Sequence, residues 1–406
     1  MTKNKKRFIF VALISMLGFF WPPFSGAQKI TYKPQLYFSG EYDDNVEYSN
    51  TDKEDSFIFN ISPAMELNYG SELFDLYSFA IVRFIRNLSE SDFDREDYYI
   101  DLSGTYRMTQ RLQFRGKLNY FQDKTLEWRT IDLIQTGSGK LPIDDPRKIE
   151  RGIESVWSDR KTYNAFGSFG YQLTELSNMN AGYGYSKTEY DSENNTDFEV
   201  NDVYLAYMRD LAGQKNQIGA RMSYNQRTSD ISDIDSYGPG VVWSHSFTEN
   251  VSLYTDLGFR YTEENFKNVD QKNDDWGVTA DIRLRRLGET NVMDIGFSQN
   301  IQTASDGGAV NVSRLYWSSG HTLSERFFFG LGGDCFITRE DGDSLSDIET
   351  VYVGISPSLK YWLTENYAVS LAYNYTLEHN RSVEDNRNTE RNRVWIVFEF
   401  GFPKEW

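Results

Sequence analysis

The residues of this sequence best placed to do chemistry are three histidines and several dense acidic runs. The first run, "EYDDNVEYSNTDKED" from Glu41 to Asp55, holds enough carboxylates for a metal site or an acid–base pair. A later one, "DGDSLSD" from Asp341, alternates oxygen-bearing side chains as a calcium loop does, yet it lacks the EF-hand spacing and its distant terminal Glu. His245, His321 and His379 stand far apart, and none shares a local motif with another or with a Ser placed as nucleophile. The single cysteine, Cys335, permits neither an internal disulfide nor a Cys-x-x-Cys-His haem attachment. The expectation is therefore no enzyme, no catalytic residue, no metal and no cofactor, with the carboxylates read as solvated loops.

Composition then bounds the class. Lys3, Lys5, Lys6 and Arg7 precede the apolar run Phe8 to Phe20, and small residues stand at Ser25 and Ala27. That order predicts a secretory signal over residues 1–27, leaving 28–406 as one domain. Cleavage there removes four basic residues and no acidic one, taking the net charge from −18 to −22. So negative a chain disfavours nucleic acid and anionic bilayer surfaces as partners. After residue 27 no apolar run approaches the roughly 20 residues of a membrane helix. Yet 16% of the residues are aromatic, and a hydrophilic secreted chain must place those rings somewhere.

A two-residue period places them. Phe57, Phe59, Ile61, Met65, Leu67 and Tyr69 occupy one parity, with Asn60, Ser62, Glu66 and Asn68 on the other. The pattern returns at Tyr98 to Tyr106, Leu112 to Tyr120, Tyr163 to Tyr171, Leu253 to Tyr261, Trp276 to Leu284 and Tyr367 to Tyr375. Short turns of the form apolar, Thr or Ser, polar, polar, apolar ("MTQRL", "LTELS", "FTENV", "LTENY") alternate with longer acidic connections such as "SENNTDFEVND" and "TEENFKNVDQKNDD". This is the rhythm of an all-β transmembrane antiparallel up-and-down β-barrel of about 18 strands (16–18), with short periplasmic turns and longer acidic extracellular loops. A bacterial outer-membrane location follows, with lipid and lipopolysaccharide as partners; the acidic loops are read as solvated, with bridging of lipopolysaccharide through divalent ions as the alternative. A soluble β-sandwich is the competing account of the alternation, but it needs neither so many strands nor the regular short and long connections. Pro63, Pro239 and Pro357 fall inside proposed strands, which predicts bulges or frayed pairing. The third strand, "LYSFAIVRFIRNL", is apolar on both parities and its faces stay unassigned.

"PQLYFSGEYDDNVEYS", "DSFIFNISPAMELNY" and "DYYIDLSGTYRMTQRLQFRGKLNYF" resemble the opening of the outer-membrane β-barrel porin 2 family, with its Tyr-x-Asp-Asn-like motif at Tyr42 to Asn45 and its Ile-Ser-Pro strand. The resemblance covers roughly the first hundred residues after the signal, together with an aromatic "FPKEW" end. It implies a conduit for a secreted exopolysaccharide, working with a periplasmic export protein. A general diffusion porin for small solutes, anionic ones among them, is the second reading, and a closed barrel with a surface-binding or scaffold role the third.

Parity also points Arg115 and Lys117 inward on strand five, Arg221 on strand nine, Arg260 on strand eleven, and Arg283 and Arg285 on strand twelve. Such a lumen would attract anions. Alternatively the arginines are zippered to Glu66, Asp101, Asp256 and Asp281. The longest connection, about residues 127–161, is expected either to fold into the pore and constrict it with Asp144, Asp145, Arg147, Lys148 and Arg151, or to form an external arm.

Overall fold

Strict alternation lets a strand present one face to lipid and the other to the interior, and closing the sheet removes every edge. In the computed structural model this produces a closed antiparallel barrel. The structure describes residues 29–89, 93–125, 158–192, 195–211, 215–267, 272–303, 309–340, 349–381, 386–402 and 404–405. The first nine strands are β1 (Lys29–Asp43), β2 (Ser56–Gly70), β3 (Phe74–Asn87), β4 (Arg95–Arg107), β5 (Leu112–Lys124), β6 (Asp159–Thr174), β7 (Ser177–Tyr190), β8 (Phe198–Asp210) and β9 (Asn216–Ser229). The second nine are β10 (Ser232–Thr248), β11 (Val251–Phe266), β12 (Lys272–Leu287), β13 (Asn291–Thr303), β14 (Ala309–Ser324), β15 (Phe327–Glu340), β16 (Glu349–Thr364), β17 (Tyr367–Arg381) and β18 (Asn386–Gly401). Each pairs with its chain neighbours, and β18 closes onto β1 from Gln35↔Gly401 to Asp43↔Arg393. A two-residue strand, β19 (Lys404–Glu405), extends the closure to Thr31 and Tyr32.

The outward parity is the expected one. Phe59, Phe114, Leu118, Phe169, Leu257 and Ile396 are exposed, while their strand neighbours of opposite parity turn inward. β3 now acquires faces: Phe79, Ile81, Arg83 and Ile85 are buried on the inside, and Phe84 is exposed on the outside. Both parities are apolar because the interior here is apolar too.

The short turns explain their own motif. The hydroxyl in the second position accepts backbone N–H groups two and three residues on, as Thr109 does from Arg111 and Leu112, and Thr364 from Asn366 and Tyr367. A register shift accompanies this at Gln172/Thr174, Ser246/Thr248, Thr322/Ser324 and Trp362/Thr364. At the prolines the ladder lapses without shifting: pairing passes from Ile61↔Phe84 to Ala64↔Ile81, from Tyr237↔Tyr261 to Gly240↔Gly258, and from Ile355↔Tyr375 to Ser358↔Ala372. These are frayed positions and not bulges. At the third, Asn374 Nδ2 donates to Ile355 O (3.1 Å) and Ser356 Oγ (2.9 Å), replacing a backbone donor.

The acidic connections are shorter than the sequence suggests, because the strands take up part of them. Glu263 and Glu264 belong to β11, Asp274 and Asp275 to β12, and His379 lies in β17 opposite Asn388. Between β9 and β10 the long-loop side carries only residues 230–231. The signal segment 1–27, Asp341 to Asp347 and Trp406 lie outside the described residues.

Candidate pore interior

The inner wall divides into two arcs. From β17 through β18 and β1 to β5, inward side chains including Tyr37, Phe79, Ile81, Phe121, Trp395 and Val397 join in one buried apolar cluster. Val310, Val312, Phe336 and Tyr352 form a second, separate buried cluster on β14 to β16, with the Phe336 and Tyr352 rings stacked at 4.6 Å. Above the short-turn halves of β1 to β5 this part of the wall is therefore packed.

Buried ion pairs cap it toward the long-loop end. Asp43 and Arg391, both at 0% exposure, form a two-pronged pair across the closure. Around it, Arg393 lies 3.7 Å from Glu41, Asp44 accepts from Asn392 N (2.6 Å) and Nδ2 (2.7 Å), and Asn45 Nδ2 donates to Glu390 O (2.9 Å). Arg83 and Arg95 each approach Asp97 at 3.3 Å, and Arg160 binds Asp123 through Nε and Nη2 at 3.1 Å. Taking such charges out of water is tolerable only when each is matched. Asp43 and Asp44, read from sequence as solvated loop carboxylates, are thus corrected to closure residues. Only their pairing with Arg391 and Asn392 at the other end of the chain gives them that role.

Two cavities lie along the described wall. One cavity of about 540 Å³ lies in the short-turn halves of β1 to β6, where Lys29, Arg115 and Lys117 face Asp75 and Tyr77. Arg115 has no hydrogen bond or ion pair with another described residue, and Lys117 stands 3.8 Å from Asp101. A second cavity, about 640 Å³, lies along β8 to β13 and is lined by Asp202, Arg221, Arg227, Asp256, Arg260 and Asp281 among others.

The six basic residues picked from parity all sit on inward positions but do not form one group. Arg115 and Lys117 belong to the first cavity, and Arg221 and Arg260 to the second. Arg221 holds Asp256 through two bonds of 2.7 and 3.0 Å, and Arg260 is 5% exposed. Arg285 pairs with Asp294 at 2.8 Å, and Arg283 donates to Tyr316 Oη at 2.8 Å beside the same carboxylate. The zippered arrangement holds for Lys117–Asp101 and Arg221–Asp256, whereas Glu66 accepts from Asn68 and Asp294 was not among the expected partners. Asp144, Asp145, Arg147, Lys148 and Arg151 lie outside the described residues.

The histidines occupy separate places. His245 faces outward against Trp243 and Phe247, with Nδ1 2.6 Å from Asn216 Oδ1, and His379 Nδ1 is 2.6 Å from Asn388 Oδ1. Among the described residues no three His, Cys, Asp or Glu side chains are grouped to hold a metal ion.

No family model and no curated protein matches the chain, so the likeness of the opening residues to the β-barrel porin 2 family stands as a resemblance. Among solved structures, Pseudomonas aeruginosa OccK2 (OpdF) is similar at 9% identity and a TM-score of 0.46, over 93% of this chain and 98% of its own. A BenF-like porin from Pseudomonas fluorescens Pf-5 matches at 10% identity and 0.45, over 93% and 99%. Acinetobacter baumannii OccAB3 matches at 11% and 0.44, over 92% and 99%. Likeness this remote says nothing of what the chain conducts.

Proposed function

We propose that this protein is an outer-membrane channel for small, preferentially anionic solutes. The observation that carries the reading is the divided interior: part of the wall is packed with buried side chains, and the two cavities beside it have the volumes of small-molecule sites. Export of an exopolysaccharide with a periplasmic partner, which the family resemblance implies, is the less well matched use of such an interior.

The preference for anions rests on the first cavity, where Arg115 offers a guanidinium that no described carboxylate neutralises, beside Lys29 and Lys117. The acidic outer rim does not cancel it. From Arg115 to the end of β5 at Lys124 the chain rises roughly 30 Å, well beyond the roughly 8 Å over which salt screens charge. Near the cavity the local field therefore dominates. Arg115, Lys117, Arg221, Arg260, Arg283 and Arg285 are pore-lining in this proposal, with Arg115 the selectivity residue and the others holding the wall in register. The full-length protein in planar bilayers tests it: a salt gradient should give a reversal potential of the sign for anion selectivity, and Arg115→Glu should shift it toward cations. Cation selectivity in the wild type would refute the proposal.

A further inference from the structure

We propose that the inner wall from β5 to β8 carries a binding platform for a cyclic sugar acid, a pyranose that bears one carboxylate. The proposal rests on the small-anion reading above and names the solute. Phe166 on β6 and Tyr204 on β8 both face the interior, and their rings lie nearly parallel, 6° apart with centroids separated by 6.3 Å. Between them runs β7, whose inward positions there are glycines: Gly184 pairs with Phe166 and Gly182 with Tyr204. A Cβ at Gly182 would overlap the Tyr204 ring, and one at Gly184 would touch Phe166 at 3.8 Å. Bare backbone on β7 therefore lets the two rings lean over it from either side and present one flat surface.

These rings do not serve as wall filling. Phe336 and Tyr352, which do pack the wall, stack at 4.6 Å and are 0% exposed. Phe166 is 39% exposed and Tyr204 is half-buried. The pair also stands where the two cavities meet, since Phe166 lines the first and Tyr204 the second. A solute crossing from one cavity to the other passes over it.

The platform has unlike ends. On the β5 side Lys117 is directly opposite Phe166, and Arg115, one row nearer the short turns, is opposite Ser168. Arg115 has no hydrogen bond or ion pair with another described residue, and the Asp75 carboxylate that shares its cavity is bound by Arg107. On the β8 side Asp202, opposite Gly184, is exposed and lines the second cavity, with Asn225 Nδ2 donating to one of its two oxygens. A guanidinium takes a carboxylate through two parallel bonds, an aromatic face takes the C–H face of a pyranose, and a carboxylate oxygen accepts from hydroxyls. Three strand spacings, roughly 14 Å, separate β5 from β8, a gap that one sugar ring and the side chains on either side fill. The hydroxyls distinguish a sugar acid from a bare aromatic acid, because only they can donate to Asp202.

The test is a titration of single-channel currents, with the full-length protein in planar bilayers and D-glucuronate, benzoate and glucose as probes. Glucuronate should block saturably, with half-block at a concentration about tenfold or more below that of benzoate, which lacks donors for Asp202, and of glucose, which lacks the carboxylate. Phe166→Ala and Tyr204→Ala should each weaken block by glucuronate about tenfold, whereas Phe166→Tyr and Tyr204→Phe, which keep a ring, should retain it. Asp202→Ala should bring glucuronate to the level of benzoate. Discrete channel currents before any solute is added show that each variant barrel has assembled. Anion selectivity with glucuronate blocking no better than benzoate, or block indifferent to the loss of either ring, overturns the platform alone. Cation selectivity in the wild type overturns it together with the channel reading on which it rests.

Discussion

Two seams of this barrel are built in opposite ways. Where the chain's first and last strands meet, Gln35–Asp43 of β1 pairs with Arg393–Gly401 of β18, and the seam is fastened by the buried Asp43–Arg391 pair, Glu41–Arg393 and the Asp44–Asn392 bonds. Among the described residues β12 and β13, joined covalently by residues 288–290, pair from Ala280↔Gln299 to Leu287↔Val292, while Trp276–Thr279 stays unpaired with Asn300–Thr303. A closure between strands far apart in sequence has no turn to hold its register, so side chains must do so. A hairpin has its register fixed by the turn and can release its far end.

This contrast yields predictions of decreasing size. Asp43→Ala leaves Arg391 buried without its counter-charge and should destabilise the barrel by about 3–5 kcal/mol, measured by urea unfolding in liposomes. Asn300→Ala at the parted seam should change stability by less than about 0.5 kcal/mol; equal losses at the two positions would dissolve the contrast. Hydrogen exchange should find the edge amides of Trp276–Thr279 exchanging well before those of Ser39–Asp43, and equal protection would show the β12–β13 seam to be closed. The smallest effect belongs to the turns. Thr364→Val removes an acceptor for two backbone N–H groups and should lower stability by about 1 kcal/mol, with no change in conductance.

The barrel was legible because a membrane forces period-two alternation and tight turns, and strands five, nine, eleven and twelve carry their basic residues where parity put them. Three things were not. The faces of β3 could not be assigned, because Phe79, Ile81 and Ile85 meet an apolar interior that only neighbouring strands create. The partner of Asp43 lies 348 residues away, so its role becomes visible only once the sheet closes. The parted seam leaves no local mark at all: Trp276, Val278, Ala280, Ile282 and Leu284 alternate as regularly as in any paired strand. Arg115 could be placed inside by parity, but that it alone of the six basic residues has no partner among the described residues is a property of the assembled wall.

The central claim, an interior sized and charged for small anions, is tested most directly by solute entry into liposomes containing the purified full-length protein. The account predicts that a small carboxylate such as succinate enters faster than an uncharged solute of similar size, and that a linear acidic oligosaccharide is excluded. Equal entry of the oligosaccharide, or no entry of either anion, would contradict it.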